Sequence, residues 1–211
     1  MRKLMIIPAF HRANLVSLVG LCFAILSMYT TITGPLTRAV MFMVGAVLCD
    51  LFDGKFASRF ERNTAEKQMG ELVDSLVDMI SFVALPIVFL IIVTNFSPLS
   101  VGISFFYAIM AVSRLSYFHV TKEDQLEADG QYRFFIGVPV TYILLVVPIL
   151  YTLFELFGAV QTTVFQAILQ TTYIIMGGLF VWKRPIPKPA GMMYAVFVLL
   201  AVIILAVLIS R

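Results

Sequence analysis

Four aspartates occupy the stretch DLFDGKFASRFERNTAEKQMGELVDSLVD, from Asp50 to Asp78, between two segments apolar enough for a membrane. Asp50 and Asp53 are spaced i,i+3, and Asp74 and Asp78 are spaced i,i+4. On helices, each pair sends two carboxylates to one side. Two such helices lying side by side bring four carboxylates to one spot, a cluster that repels itself unless cations sit in it. Hard divalent ions such as Mg²⁺ or Mn²⁺ suit an all-oxygen donor set. An ionisable residue at membrane depth costs roughly 2.5–3.5 kcal/mol on insertion scales. Four acids at the ends of adjoining spans therefore point to chemistry. The plain alternative makes them solvated helix ends, or partners of Lys55, Arg59 and Arg62, but a solvated end does not need its acids on one helical face.

The elements that must position these acids are membrane spans. Of the 211 residues, 61% are hydrophobic and only 13% charged; a soluble domain carries about 25% charged residues. The mean hydropathy is +0.98. The composition describes an integral membrane protein and leaves no polar stretch long enough for a soluble domain. The N-terminal MRKLMIIPAFHRAN lacks a cleavage site of small residues and is expected to be retained. Cys22 and Cys49 fall in apolar segments and are expected to be free and buried. The formal charge of +3 is small, and no nucleic-acid partner is expected.

A span needs about 20 apolar residues. Candidates lie near 14–33, 36–58, 68–95, 99–120, 137–158, 162–182 and 190–210, separated by turn residues such as Gly34-Pro35, Asn95 with Pro98, Gly158, and the run KRPIPKP. If the N-terminus is cytoplasmic, nearly every basic residue falls on the inner side, and only Arg38 and Arg211 fall outside. That orientation places the aspartates at the cytoplasmic face. The second span runs down into Asp50 and Asp53, and the third leaves from Asp74 and Asp78. The polar link FERNTAEKQM is expected to turn at the membrane surface between them.

The pattern Asp50-x-x-Asp53-Gly54-x-x-Ala57, followed by Gly70-x-x-x-Asp74-x-x-x-Asp78, resembles the signature of the CDP-alcohol phosphotransferases. The signature's arginine directly follows its alanine. Here Ser58 stands in that place and Arg59 comes next, so Arg59 is assigned the part; the link to Gly70 is also a few residues longer than the usual form. Further segments are similar to those of the phosphatidylserine synthase branch: GELVDSLVDMISF with Pro86, Ser113-Arg114-Leu115-Ser116-x-Phe118, and Phe135-Ile136-Gly137-Val138-Pro139.

The resemblance implies an all-α polytopic membrane bundle, with a six-span family core at 1–185 and an additional C-terminal span at 186–211. It implies transfer of a phosphatidyl group from CDP-diacylglycerol to L-serine, giving phosphatidylserine and CMP, in the cell membrane of a prokaryote and in a homodimer. Asp50, Asp53, Asp74 and Asp78 would hold two divalent cations, Mg²⁺ or Mn²⁺, and Asp78 would also act as general base. Asn14, Ser17, Gly54, Ala57, Arg59 and Gly70 would bind the CDP-lipid. Arg114 and Arg133 would bind the acceptor or a phosphate. A helix cap is an equal reading for Asn14 and Ser17; for Arg133, positive-inside anchoring or pairing with Glu123, Asp124, Glu127 or Asp129 is the stronger reading. Three alternatives stay open: another acceptor such as glycerol 3-phosphate or inositol phosphate, an aspartate-rich membrane prenyltransferase, and a divalent-cation transporter. A transporter would want its ligands near the midplane in repeated halves, whereas these acids cluster at one face and in one half.

Overall fold

The computed structural model describes residues 11–121, 134–187 and 192–210. Seven helical rods follow the seven apolar segments: α1 (Leu15–Thr33), α2 (Leu36–Ala57), α3 (Thr64–Val93), α4 (Pro98–Thr121), α5 (Ile143–Leu156), α6 (Thr163–Val181) and α7 (Met192–Ile209). Short 3₁₀ turns, Arg12–Asn14 and Val140–Tyr142, lead into α1 and α5. The rods Arg12–Thr33, Thr64–Val93, Pro98–Thr121 and Thr163–Val181 are long and apolar enough to cross a membrane. Their outward residues, among them Ile25, Tyr29, Ile32, Phe105, Ile109 and Ile175, are exposed, as expected of surfaces that face lipid. Cys22 lies on the outer surface and Cys49 is only half-buried, so the expectation of burial fails for the first and is met only in part for the second; both cysteines are free.

Helices in a bilayer gain little from burying apolar surface against one another, so close approach through small residues matters more. α1 and α2 form the most extensive pair. A Cβ on Gly20 would come within 3.0 Å of the Cys49 Cβ. α4 and α6 pair in the same manner, with Gly177 receiving the ring of Phe106.

Two departures from the sequence reading bear on the site. First, the link between α2 and α3 is only partly a turn. α3 begins within it, because Asn63 and Glu66 form a capping box: the Asn63 side chain accepts from the Glu66 N–H, and the Glu66 carboxylate accepts from the Asn63 N–H, each at 2.9 Å. The helix therefore gains a full turn ahead of Gly70. Second, the loops at that end of the bundle close a small antiparallel ribbon in an otherwise helical chain. β1 (Phe134–Ile136) pairs with β2 (Pro185–Pro187), so the KRPIPKP run is in part a strand.

α3 is not a uniform helix. Directly after Asp78 it widens into a π-helical turn, Met79–Ala84, and resumes as α-helix at Leu85. One inserted residue rotates everything beyond it by about 100° relative to Asp78. Pro86 lacks the N–H that an α-helix would aim at the Phe82 carbonyl. The buried Tyr107 hydroxyl of α4 donates to that carbonyl at 2.6 Å, and the Tyr173 hydroxyl of α6 donates to the Pro86 carbonyl at 2.7 Å. Packed against each other with rings tilted by 50° and centroids 5.0 Å apart, the two tyrosines tie α4 and α6 to the irregular turn. Tyr107→Phe keeps the ring but strips the donor from a buried carbonyl. A loss of about 1–3 kcal/mol in stability is expected, read by thermal or denaturant unfolding in detergent.

Candidate active site

α2 and α3 meet at the end of the bundle that carries the aspartates. One carboxylate oxygen each of Asp50, Asp74 and Asp78 lie within 4.8 Å of one another. The i,i+3 and i,i+4 spacings do what helices require of them and face the pairs across the α2–α3 seam. Asp50 meets Asp78, and Asp53 meets Asp74. Asp53 also accepts a hydrogen bond from the Ser17 hydroxyl of α1 at 3.0 Å.

The two flanks of this cluster differ. On the first, Asn14 is buried at the head of α1, yet its side chain caps nothing. Its Oδ1 and the Nη1 of Arg62 both lie over Gly70, where an added Cβ would come within 2.9 Å and 3.1 Å of them. The helix-cap reading of Asn14 therefore fails, and Gly70 is a point of close approach between α1, the α2–α3 turn and α3. Arg62 is half-buried, and its Nε makes no hydrogen bond within the described protein. Arg59, assigned the motif arginine's part from sequence, is exposed. Nothing in the spacing of Arg59 and Arg62 shows which of them the turn folds back over Gly70. Gly54 and Ala57 lie further along α2, and a Cβ on Gly54 would meet nothing within 4 Å.

On the second flank a cavity of about 240 Å³ opens beside Asp50 and Asp78. Arg114 of α4 lies in its wall, 6% exposed, with its Nε making no hydrogen bond to the described protein and its guanidinium 5.5 Å from the Phe118 ring. Gly137 holds this wall in place. Its φ of +79° is in the left-handed region, and a Cβ there would strike the Phe180 carbonyl at 2.6 Å and approach the Arg114 Nε at 3.5 Å. The β1–β2 ribbon fixes that glycine, whose N–H donates to the Arg184 carbonyl at 2.9 Å. Arg133, the other basic residue expected near the acceptor, lies outside the described residues.

Ser81 is a site residue the sequence reading passed over. Its hydroxyl is 2% exposed and unpaired, and it borders a cleft of about 10 Å³ shared with Ser17, Asp50 and Asp53. The π turn brings it there, and no periodicity in the sequence signals that turn.

A family model described as CDP-alcohol phosphatidyltransferase matches residues 10–172. The chain belongs to that family. It is therefore an enzyme of phosphatidyl transfer from a CDP-alcohol, and the prenyltransferase and transporter alternatives fall away. No curated protein and no solved structure is detectably similar to the chain. The match ends inside α6, so α7 lies wholly beyond it. The family uses divalent metals, and the donor set fits that requirement: clustered carboxylate oxygens, no competing soft ligand among them, and a buried hydroxyl with hydrogen-bonding capacity to spare.

The two motif glycines make opposite predictions. Gly70→Ala forces Asn14 and Arg62 apart and is expected to weaken CMP binding roughly tenfold or more, read by CMP-dependent thermal stabilisation. Gly54→Ala meets no atom of the described residues within 4 Å, so it is expected to leave thermal stability unchanged, and a loss of CMP-dependent stabilisation would report contact with ligand.

Proposed function

We propose that the protein is a CDP-diacylglycerol–serine O-phosphatidyltransferase, active at the cytoplasmic face of a prokaryotic membrane as a homodimer. One observation carries the choice of acceptor. Two segments far apart in sequence that resemble the serine branch, around Arg114–Phe118 and Gly137–Pro139, converge on a single cavity, and that cavity also reaches Asp78. A buried arginine whose Nε has no protein partner, lining the same cavity as Asp78, offers the forked, charged donor that a serine carboxylate takes.

In this reading Asp50, Asp53, Asp74 and Asp78 would hold two divalent ions, Mg²⁺ or Mn²⁺, which when bound would supply positive charge against the diphosphate. Asn14, Ser17, Gly54, Ala57 and Gly70 border the cytidine and diphosphate end. Arg62 is better placed there than Arg59, because it folds back over Gly70. Arg114 orients serine by its carboxylate. Asp78 takes the proton from the serine hydroxyl, for which it must come within hydrogen-bond reach of that oxygen. The hydroxyl oxygen bonds to the phosphatidyl phosphorus, the phosphorus–oxygen bond to CMP breaks, and CMP leaves with the electron pair. The second reading keeps all of this and changes the acceptor to glycerol 3-phosphate or inositol phosphate, whose phosphate Arg114 would bind equally well.

Acceptor-dependent release of CMP from CDP-diacylglycerol tests the reading, with serine, glycerol 3-phosphate and inositol phosphate supplied separately. Release with serine alone is expected, abolished by Asp78→Asn and by a chelator, and restored by added Mg²⁺ or Mn²⁺. Release with a different acceptor would keep the chemistry and overturn the serine assignment. Arg114→Lys retains the charge and loses the fork. It is expected to raise KM for serine roughly tenfold while changing kcat far less.

A further inference from the structure

The seventh helix is unexplained by the family match, which ends before it. Its sequence, MMYAVFVLLAVIILAVLI, has the composition of a plain membrane anchor. Its placement is more specific. Tyr194, Phe197, Ala201, Ile204 and Leu208 recur at intervals of three and four residues, which puts them on one face. Ala201, Ile204 and Leu208 are buried, whereas Val196, Leu199, Val202 and Ile203 on the other side are exposed. The first three residues of the inner face, Tyr194, Phe197 and Ala201, line the same 240 Å³ cavity that holds Asp50, Asp78 and Arg114.

This wall is held to the reaction centre by specific contacts. Lys55, which directly follows the motif glycine Gly54, places its Nζ 3.7 Å from the centroid of the Tyr194 ring. Phe197 meets Tyr142 edge to face at 6.2 Å. Away from Asp50, Asp78 and Arg114 the lining is hydrocarbon and aromatic apart from Thr141, with Leu48, Leu51 and Leu145 lining the cavity together with Phe197 and Ala201. Ala201 lies seven steps of helix beyond Tyr194, a wall about 10 Å long at 1.5 Å per residue. A small polar acceptor has no use for such a surface, whereas a hydrocarbon chain does. The outer face of α7 is exposed along the same length, so the helix stands between the aspartates and the surrounding lipid.

We infer that α7 is a substrate-binding element: Tyr194, Phe197 and Ala201 form the wall against which a hydrocarbon chain of the lipid-linked donor lies while its diphosphate is at the aspartates. The inference rests on the reading of the donor as CDP-diacylglycerol, and it makes α7 a determinant of chain selectivity.

Two measurements test it. The first compares kcat/KM for CDP-dioleoylglycerol and CDP-dihexanoylglycerol in the intact protein and in Ala201→Trp, which fills the far end of the cavity. The dioleoyl-to-dihexanoyl ratio is expected to fall roughly tenfold; an unchanged ratio would overturn the inference even if both rates dropped. The second uses the unsubstituted protein and a CDP-diacylglycerol bearing a diazirine in one acyl chain. Photolabel is expected on the peptide containing Phe197 and Ala201, and label confined to other helices would overturn the inference. Labelling needs no turnover. Absence of CMP release with every donor would therefore sink the proposed reaction, while the site of labelling still decides the role of α7.

Discussion

Mutual repulsion of carboxylates in a partly desolvated seam is the constraint around which the bundle is arranged. Asp50, Asp74 and Asp78 are brought within 4.8 Å of one another, in surroundings where like charges interact more strongly than in water. Such a cluster persists only where the rest of the fold holds α2 and α3 together and where bound cations supply the opposing charge. The close α1–α2 contact at Gly20, the Ser17–Asp53 hydrogen bond and the contacts over Gly70 all act on this seam. α1 therefore serves as a brace for the acids as well as a span.

The irregular turn of α3 resolves a second conflict. A helix entering the membrane must present Asp74 and Asp78 to α2 and then, within a few residues, turn a different face to the core. A uniform α-helix keeps one face throughout. The π turn at Met79–Ala84 changes the face, and it also directs Ser81 toward the acids. Backbone groups freed by that turn and by Pro86 have no water available in the membrane interior. Tyr107 and Tyr173 take its place, so the aromatic pair between α4 and α6 belongs to the same structural unit as the aspartates.

The asymmetry of the two flanks gives the cluster a direction. Arg62, Asn14 and Gly70 form a narrow polar side, while Arg114 and the apolar walls form a wider one. A transfer reaction between a nucleotide-linked lipid and a small alcohol needs separate approaches for the leaving group and the nucleophile. The placement of an arginine on each side of the carboxylates suits that need. The position of Arg114 depends on Gly137, which in turn depends on a ribbon formed by loops that neighbour different helices.

Much of this was legible in the sequence, for local reasons. Apolar runs of span length determine helices in a membrane because no other open structure satisfies the backbone there, and the seven rods fall where those runs lie. The spacing of the aspartates determines that each pair shares a face, and the turn between the spans makes the pairs adjacent. What only the tertiary structure decided involves partners that no local rule connects. The choice of Arg62 over Arg59 at Gly70 depends on how one turn folds back. The capture of Ser81 depends on a π turn whose cost is met by hydroxyls 25 and 87 residues distant from their acceptors. The use of α7 as a cavity wall depends on which face of an evenly apolar helix turns inward. Its sequence alone supplies too little contrast to say, because in lipid both faces are hydrocarbon and it is packing against α2 and α5, with contacts to Lys55 and Tyr142, that distinguishes them.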